Sequence, residues 1–264
     1  MSESANATTT GSTAKAEPTT ATRPPIVEID GLGHTYGRID VLEDVSFDVP
    51  AGEVTAIIGP NGAGKTTLIR DIVGLQEPTA GTVDYRIPDV PRPIGYLQQR
   101  PAFRPGQTVK QAIAFYGSLV GETEADTVRR LERVGLGAAT DRAVGALSGG
   151  MTRLAGIAQA TVGDPPLVVL DEPASGLDPG MSVRIFEIAE ELAAAGAAVL
   201  VSSHNLALVE RTAGRVVLLD DGTVARIGAP ADLNGELGTE SLLDAFDAAV
   251  AGDSKTVSVR GGST

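Results

Sequence analysis

The 264-residue sequence contains neither cysteine nor tryptophan. Without cysteine, a chain has no disulfide bond, no thiol nucleophile and no Cys-ligated metal site. Its two histidines, His34 and His204, are too few for a histidine-rich metal site. The composition therefore excludes thiol chemistry and argues against a metal site built from cysteine or histidine.

Long apolar runs are missing as well. No window of about 18 residues, the length that a helix needs to cross a bilayer, is apolar throughout. The N-terminus also lacks a charged segment followed by an apolar run, so we predict no signal peptide. The sequence predicts no direct insertion into a membrane, and any membrane role is expected to come through a partner chain.

Basic residues are scarce. Acidic residues outnumber them 34 to 21, and only four of the 21 are lysines, which gives a net charge of −13. Because phosphate backbones are bound by basic surfaces, this charge argues against nucleic-acid binding. An acidic surface with few lysines suits solubility at high salt and predicts a halophilic host. A genome of high GC content, which favours arginine and aspartate, is the alternative explanation.

Composition and patterning divide the chain into a central domain and two tails. Residues 1–25 are rich in Ser, Thr, Ala and Pro and are predicted to be disordered, as is the end of the chain from about residue 252. We predict one domain over residues 26–232, with a short helix and the disordered tail within 233–264. The sequence has no internal repeat, so the domain is present once.

The pattern inside the domain predicts an α/β fold. The first part alternates apolar and polar residues, as half-buried antiparallel strands do, and residues of about 101–160 have helical spacing, with Thr123 as a helix N-cap. The third part alternates buried apolar strands with helices, which is typical of a parallel sheet covered on both faces. We therefore predict a parallel-sheet core with an N-terminal antiparallel β subdomain and an inserted helical subdomain.

The clearest motif is a phosphate-binding loop between a predicted strand and a predicted helix. Residues 59–66 match the pattern G-x-x-x-x-G-K-[ST] at each fixed position. Small residues let backbone N–H groups surround a polyphosphate, while Lys65 reaches the β- and γ-phosphates and the Thr66 hydroxyl joins the shell of a Mg²⁺ ion. The predicted nucleotide-binding residues of this loop are Gly59, Pro60, Asn61, Gly62, Ala63, Gly64, Lys65, Thr66 and Thr67.

An acidic pair follows the apolar run Leu167–Leu170. A single Asp-Glu pair is often only the solvated end of a strand, but a phosphate loop needs a carboxylate for its metal on a neighbouring strand. Asp171, at the carboxyl end of this strand, is placed to hold Mg²⁺ through water. Glu172 is then free to polarise an attacking water as a general base.

A second anion-binding element, here called the signature segment, comprises residues 147–150 with the sequence Leu-Ser-Gly-Gly. A Ser-Gly-Gly step at the start of a helix presents free N–H groups and the positive end of the helix dipole. The segment has no lysine and no preceding parallel strand, so it does not bind a nucleotide alone. An outward-facing anion site of this kind is explained if it closes over a nucleotide held by another subunit.

In their order along the chain, these motifs and the later SGLD and SSH sequences resemble the ATP-binding cassette of ABC transporters, over about residues 26–230. The resemblance implies a P-loop NTPase with a RecA-like core that binds ATP and Mg²⁺ and hydrolyses ATP. It implies that Tyr36 stacks on adenine, that Gln99 links the γ-phosphate and the metal to the helical insertion, and that His204 contacts the γ-phosphate. The neighbouring Gln98 is an alternative to Gln99.

The resemblance also implies a head-to-tail homodimer with two ATP molecules buried between the subunits. Asp178 belongs to the loop that crosses this interface, and Gly149 lies in the signature segment, from which Ser148 and Gly150 donate to the γ-phosphate in trans. At the position after the two glycines, where the family usually has glutamine, the sequence has Met151. The Ser148 hydroxyl and the N–H groups are kept, so we expect ATP sandwiching to persist.

The implied role is that of a cytoplasmic ATPase subunit at the inner face of the cell membrane, which powers a separate membrane permease. The Ser-Gly-Gly-Met and GIAQA sequences, the compact helical insertion and residues 241–246 resemble exporters whose permease is a separate ABC-2-type chain, so export is favoured over import. Two alternatives stay open. One is an ATPase of a soluble assembly complex, and the other is a small-molecule kinase, which has no use for the signature segment.

Overall fold

The structure is a computed structural model, and it describes residues 25–253. Its first part is an antiparallel sheet of three strands, which are β1 (Pro25–Tyr36), β2 (Ile39–Pro50) and β4 (Ala80–Tyr85). Their order in the sheet is β2-β1-β4. The chain turns between β1 and β2 at Gly37, whose φ of 67° lies in the left-handed region that glycine adopts without strain.

A six-stranded sheet forms the centre of the molecule. Its strands are β3 (Val54–Ile58), β5 (Ile94–Leu97), β6 (Leu167–Asp171), β7 (Ala198–Ser202), β8 (Arg215–Asp220) and β9 (Thr223–Gly228). They lie in the order β5-β6-β7-β3-β8-β9, with β5 to β8 parallel and β9 antiparallel to β8. β3, β6 and β7 are buried along their whole length, as their continuous apolar sequences predict.

The helices of the described part are α1 (Lys65–Ile72), α2 (Val109–Leu119), α3 (Glu124–Arg133), α4 (Gly149–Ala160), α5 (Pro179–Ala194), α6 (Leu206–Thr212), α7 (Pro230–Leu237) and α8 (Leu242–Asp253). Between β5 and β6 the chain forms α2, α3 and α4, where the sequence predicts a helical insertion. Thr123 caps α3 as predicted, because its side chain accepts from the N–H of Asp126 and the Asp126 carboxylate accepts from the N–H of Thr123.

Two apolar clusters lie on the opposite faces of the six-stranded sheet, because successive side chains of each strand point to opposite sides. One cluster joins the sheet to α2, α4 and α5, and the other joins it to α1 and the three-stranded sheet. The fold therefore has the predicted α/β core, with an antiparallel β sheet on one side and inserted helices on the other.

Some elements were not predicted from the sequence. They are β4, β5, β9 and α7, of which β4 is almost entirely exposed and so has no apolar alternation to reveal it. Pro25 begins β1 and Asp253 ends α8, so the inner ends of both predicted tails belong to regular structure. The rest of the two tails lies outside the described residues.

Gly95 in β5 gives a prediction for the stability of this core. A Cβ atom at Gly95 would lie 1.9 Å from the carbonyl oxygen of Ala160, at the end of α4. Gly95→Ala therefore forces the strand and the helix apart, and we expect a loss of about 3 kcal/mol in the free energy of unfolding, measured by urea denaturation. Gly235→Ala is the matched control, because Gly235 lies in α7 with open space around the position of its Cβ. Equal unfolding midpoints for the two variants would contradict the prediction.

Candidate active site

Three neighbouring parallel strands end at the same edge of the sheet and supply the candidate site. β3 leads into the phosphate loop at Gly59, while β6 ends at Asp171 and β7 ends at Ser202. The strands lie side by side in the order β6-β7-β3, with Asp171 opposite Ser202 and Ser202 opposite Ile57. The parallel register therefore brings side chains far apart in sequence to one edge, which is where α/β sheets bind ligands.

Glycines shape the phosphate loop. Gly62 and Gly64 have φ values of 90° and 96°, in the left-handed region that side chains with a Cβ rarely adopt. A Cβ at Gly59 would lie 2.1 Å from the carbonyl oxygen of Leu219, so only glycine fits there. The backbone thus makes a tight turn into the N-terminus of α1, an arrangement that favours phosphate binding.

The ammonium group of Lys65 is held over this loop. Its Nζ donates to the carbonyl oxygens of Gly59 at 2.7 Å and Pro60 at 2.9 Å. Burial lowers the pKa of Lys65, and the negative charges of Glu172 and Asp171 act in the opposite direction. An ammonium has three N–H donors, so one is left for a phosphate oxygen while two anchor the side chain.

A serine that sequence reasoning missed organises the acidic pair. The Ser202 hydroxyl donates to Asp171 Oδ1 at 2.7 Å and accepts from the backbone N–H of Glu172 at 2.8 Å. Asp171 is almost fully buried, with 1% of its surface exposed. The signal available in the sequence was the position of Ser202, at the end of a buried strand and two residues before His204.

Glu172 is fixed by its backbone and by His204. Its φ of 47° is left-handed, an unusual conformation for a residue with a side chain, which costs of the order of 1 kcal/mol or more and concentrates at functional sites. The Oε2 atom of Glu172 lies 2.8 Å from Nδ1 of His204. For an ionised Glu172 this contact requires a proton on Nδ1 of His204.

A cavity of about 290 Å³ lies between these groups. It is lined by the phosphate loop, by Glu172 and by Gln99, which follows β5. Gln98 is not among the lining residues, which favours Gln99 over Gln98 as the residue that meets the γ-phosphate. The lining residues from the loop are Asn61, Gly62, Gly64, Lys65, Thr66 and Thr67, and Val41 of β2 completes the wall.

The donor set fits Mg²⁺ bound together with a nucleotide. Within residues 25–253, no group of three or more histidine and carboxylate side chains lies where it could hold a metal ion. Mg²⁺ typically takes one or two protein ligands and completes its shell with water and substrate phosphates. Thr66, which lines the cavity, and Asp171, which is buried beside it next to the lining residue Glu172, match that limited demand in the chemistry of their side chains.

Comparison with known proteins identifies the family. A family model described as ABC transporter matches residues 42–175, about half of the chain. The chain belongs to the ABC transporter family. It is an ATP-binding subunit of that family and an ATPase, here called the cassette.

Relatives of the cassette carry names of both transport directions. The Nod factor export ATP-binding protein I of Ralstonia nicotianae is 34% identical over 221 residues, which cover 79% of this chain and 68% of that protein. The molybdenum import ATP-binding protein ModC of Mycobacterium tuberculosis is 37% identical over 211 residues, which cover 72% of this chain and 57% of that protein. A solved structure of an ATP-binding subunit of an ABC transporter has a TM-score of 0.75 and 33% identity, over 85% of this chain and 99% of that chain.

Tyr36 of the cassette lies outside the phosphate cavity but is tied to its loop. Its hydroxyl donates to Gln76 Oε1 at 2.8 Å, and Gln76 Nε2 donates to the carbonyl of Thr67 at 3.2 Å. Tyr36 is 46% exposed, and its ring lies 4.5 Å, centre to centre, from the ring of the buried His34. The ring is held by the bond of its hydroxyl to Gln76 and by its contact with His34, and its exposed part is available for the stacking on adenine that the sequence predicts.

The signature segment and Asp178 lie apart from the cassette's own phosphate cavity, since neither is among its lining residues. Ser148 caps α4 by accepting from the N–H of Met151, and Asp178 caps α5 by accepting from the N–H of Met181. A Cβ at Gly150 would lie 3.0 Å from the Met181 side chain, so the starts of α4 and α5 pack together. The signature segment and Asp178 therefore lie side by side at the surface. Their contacts with a nucleotide stay a prediction.

None of the helices between residues 25 and 253 has both the length and the apolar character needed to span a bilayer.

Proposed function

We propose that the cassette hydrolyses Mg-ATP in composite sites between two copies arranged head to tail, and that closing and reopening of this dimer powers a separate membrane permease. Each composite site combines the phosphate loop of one copy with the signature segment of the other. The cassette would work in the cytoplasm, bound peripherally to its permease at the inner face of the membrane.

The observation that carries this proposal is the separation of two anion-binding elements in one chain. The phosphate loop, with Lys65, Thr66 and Glu172, surrounds one cavity. The signature segment begins α4 elsewhere, with Ser148 and Gly149 at the surface and open space around the Cβ position of Gly149. The N-terminus of α4 presents unpaired N–H groups but lies outside the phosphate cavity of its own chain. A γ-phosphate bound to a second copy of the chain would explain these free donors.

The chemistry follows from the positions of the acidic residues and of His204. In this proposal Glu172 takes a proton from a water that attacks the γ-phosphate. His204 donates from Nδ1 to Glu172 Oε2, which keeps the carboxylate in one orientation, and its predicted contact with the γ-phosphate would use the other ring nitrogen. Lys65 and Gln99 meet the γ-phosphate, while Thr66 and Asp171 would hold Mg²⁺. When bound, that ion neutralises charge on the phosphate oxygens during transfer to water.

Export is the proposed direction of transport. It is supported by the features of the signature segment and of residues 241–246 described above, and by a relative named for Nod factor export. The alternative is an ATPase of a soluble assembly complex. Purification with one polytopic membrane chain in constant proportion supports the transport proposal, whereas recovery with soluble partners only favours the alternative.

Gly149→Asp tests the composite site. Since Gly149 has open space around it, the variant is expected to fold, but its carboxylate would repel the γ-phosphate of the facing copy. The test is made in a Glu172→Gln background, which slows hydrolysis. We expect Mg-ATP to convert this monomer to a dimer, as measured by light scattering. Gly149→Asp is expected to abolish the dimer, while the affinity of the monomer for ATP changes by less than about two-fold.

Gly235→Asp is the control for the added charge, because Gly235 is exposed in α7 and also has open space at its Cβ position. This variant is expected to dimerise normally. A chain that stays monomeric with Mg-ATP, or an ATP-dependent dimer that survives Gly149→Asp, would contradict the head-to-tail site.

A further inference from the structure

Arg153 lies on the second turn of α4, five residues beyond the N-cap Ser148. Its guanidinium reaches out of the helix and donates from Nη1 to the backbone carbonyl oxygen of Gln99. Arg153 itself is not among the residues that line the phosphate cavity, whereas Gln99 is. One end of this contact is therefore the helix of the signature segment, and the other is the residue predicted to meet the γ-phosphate and the metal.

The Arg153 guanidinium is partly buried and interacts electrostatically with Asp171 and Glu172. Burial lowers the pKa of Arg153, while the negative charges of Asp171 and Glu172 act in the opposite direction. An arginine stays protonated in either environment, so the group is a permanent cation beside an acidic centre. The contact that fixes the guanidinium is its bond to the Gln99 carbonyl oxygen, and the two carboxylates add a favourable charge interaction.

A second contact between α4 and the Gln99 segment (residues 98–101) limits how that segment can move. A Cβ at Gly156 would lie 2.5 Å from the Leu97 side chain and 3.0 Å from that of Pro101. Leu97 comes directly before the Gln99 segment and Pro101 is its last residue. Both therefore pack closely on α4, one turn beyond Arg153. Between these two packing points, the contact with the Gln99 carbonyl oxygen is made by the Arg153 guanidinium.

We propose that Arg153 is a positioning residue for Gln99: it fastens the Gln99 segment to α4, so that the Gln99 side chain faces the phosphate cavity. Because the signature segment begins α4, the same contact couples its position to that of Gln99 in the same chain, the residue proposed to meet the γ-phosphate. The inference rests on the proposed function for its effect on hydrolysis, but the contact itself exists within a single copy.

Arg153→Gln removes the charge and shortens the side chain. We expect kcat for ATP hydrolysis to fall about ten-fold, since a hydrogen bond from a charged donor is lost, while KM and ATP binding by the monomer change by less than about two-fold. Arg153→Lys keeps a cation that can reach a carbonyl and is expected to recover an intermediate kcat. Urea denaturation of each variant shows that the fold is kept.

Arg184→Gln is the matched control. The Arg184 guanidinium also donates to a backbone carbonyl, that of Arg133, at 2.8 Å, but it does so on α5 away from the phosphate cavity. This variant should hydrolyse ATP at the wild-type rate. An unchanged kcat for Arg153→Gln, or an equal loss for Arg184→Gln, would overturn the inference.

Backbone order parameters from NMR distinguish failure of this inference from failure of the dimer proposal. In the isolated monomer, the order parameters of residues 98–100 are expected to fall from about 0.85 in wild type to below about 0.6 in Arg153→Gln, because the anchor of the segment is lost. The measurement needs neither dimerisation nor turnover, so it decides the positioning role even for a chain that does not dimerise. Unchanged order parameters over residues 98–100 overturn the proposal.

Discussion

Glu172→Gln is expected to lower the rate of ATP hydrolysis by about a thousand-fold while ATP binding persists, because a positioned general base contributes on the order of 10²- to 10⁴-fold. The substitution keeps the size and shape of the side chain and removes only its ability to accept a proton. A glutamine oxygen can still accept from Nδ1 of His204, the atom that lies 2.8 Å from Glu172 Oε2. The geometry of the site should therefore change little.

Single-turnover hydrolysis at saturating ATP, together with a direct binding measurement, separates the two effects. Glu190→Gln is the control for the loss of one acidic charge, since Glu190 is exposed on α5. It should hydrolyse ATP at the wild-type rate. Undiminished hydrolysis by Glu172→Gln would remove Glu172 from the role of base, and a parallel loss of ATP binding would show that the change acts on structure instead.

Lys65→Ala is expected to weaken ATP binding by about a hundred-fold, and the rate at subsaturating ATP should fall at least as far. The substitution removes a charge-assisted hydrogen bond to the phosphates, which typically contributes about 1.5–3 kcal/mol. It also removes the two bonds by which Nζ bridges the carbonyl oxygens of Gly59 and Pro60. The loop thus loses both its charge for the ligand and one of its internal anchors.

Equilibrium titration with ATP measures this loss directly. Lys110→Ala removes the same charge from α2, where the side chain is partly exposed and the ammonium pairs with the exposed Glu124 at 2.9 Å. Because exposed ion pairs contribute little, this control should bind ATP as wild type does. If Lys65→Ala bound ATP normally, the phosphate loop would not be the nucleotide site.

The parts of the site that could be predicted are those whose functional residues are adjacent in the sequence. The phosphate loop and the Asp171–Glu172 pair are each written in a few adjacent residues, with an apolar strand before them. Ser202 and Arg153 act through contacts across about thirty and more than fifty residues, respectively. Such contacts depend on strand order and helix packing, which no local pattern encodes.

The fold shows the same division. Buried strands such as β6 and β7 were predicted because both of their faces are apolar, which makes a continuous run in the sequence. β4 has one half-buried residue, Val83, and is otherwise exposed, so its pairing with β1 leaves no periodic signal. Its existence follows from backbone hydrogen bonds to a neighbour, and these are independent of side-chain type.

The left-handed backbone at Glu172 has a consequence for anyone who engineers the cassette for robustness. At such a position glycine avoids a conformational strain that costs a residue with a side chain of the order of 1 kcal/mol. Selection for thermal tolerance alone would therefore favour glycine over the glutamate that we propose as the general base. A library screened without an activity assay would enrich cassettes that are more stable but do not hydrolyse ATP. Position 172 should therefore be kept as glutamate when the cassette is stabilised by mutation.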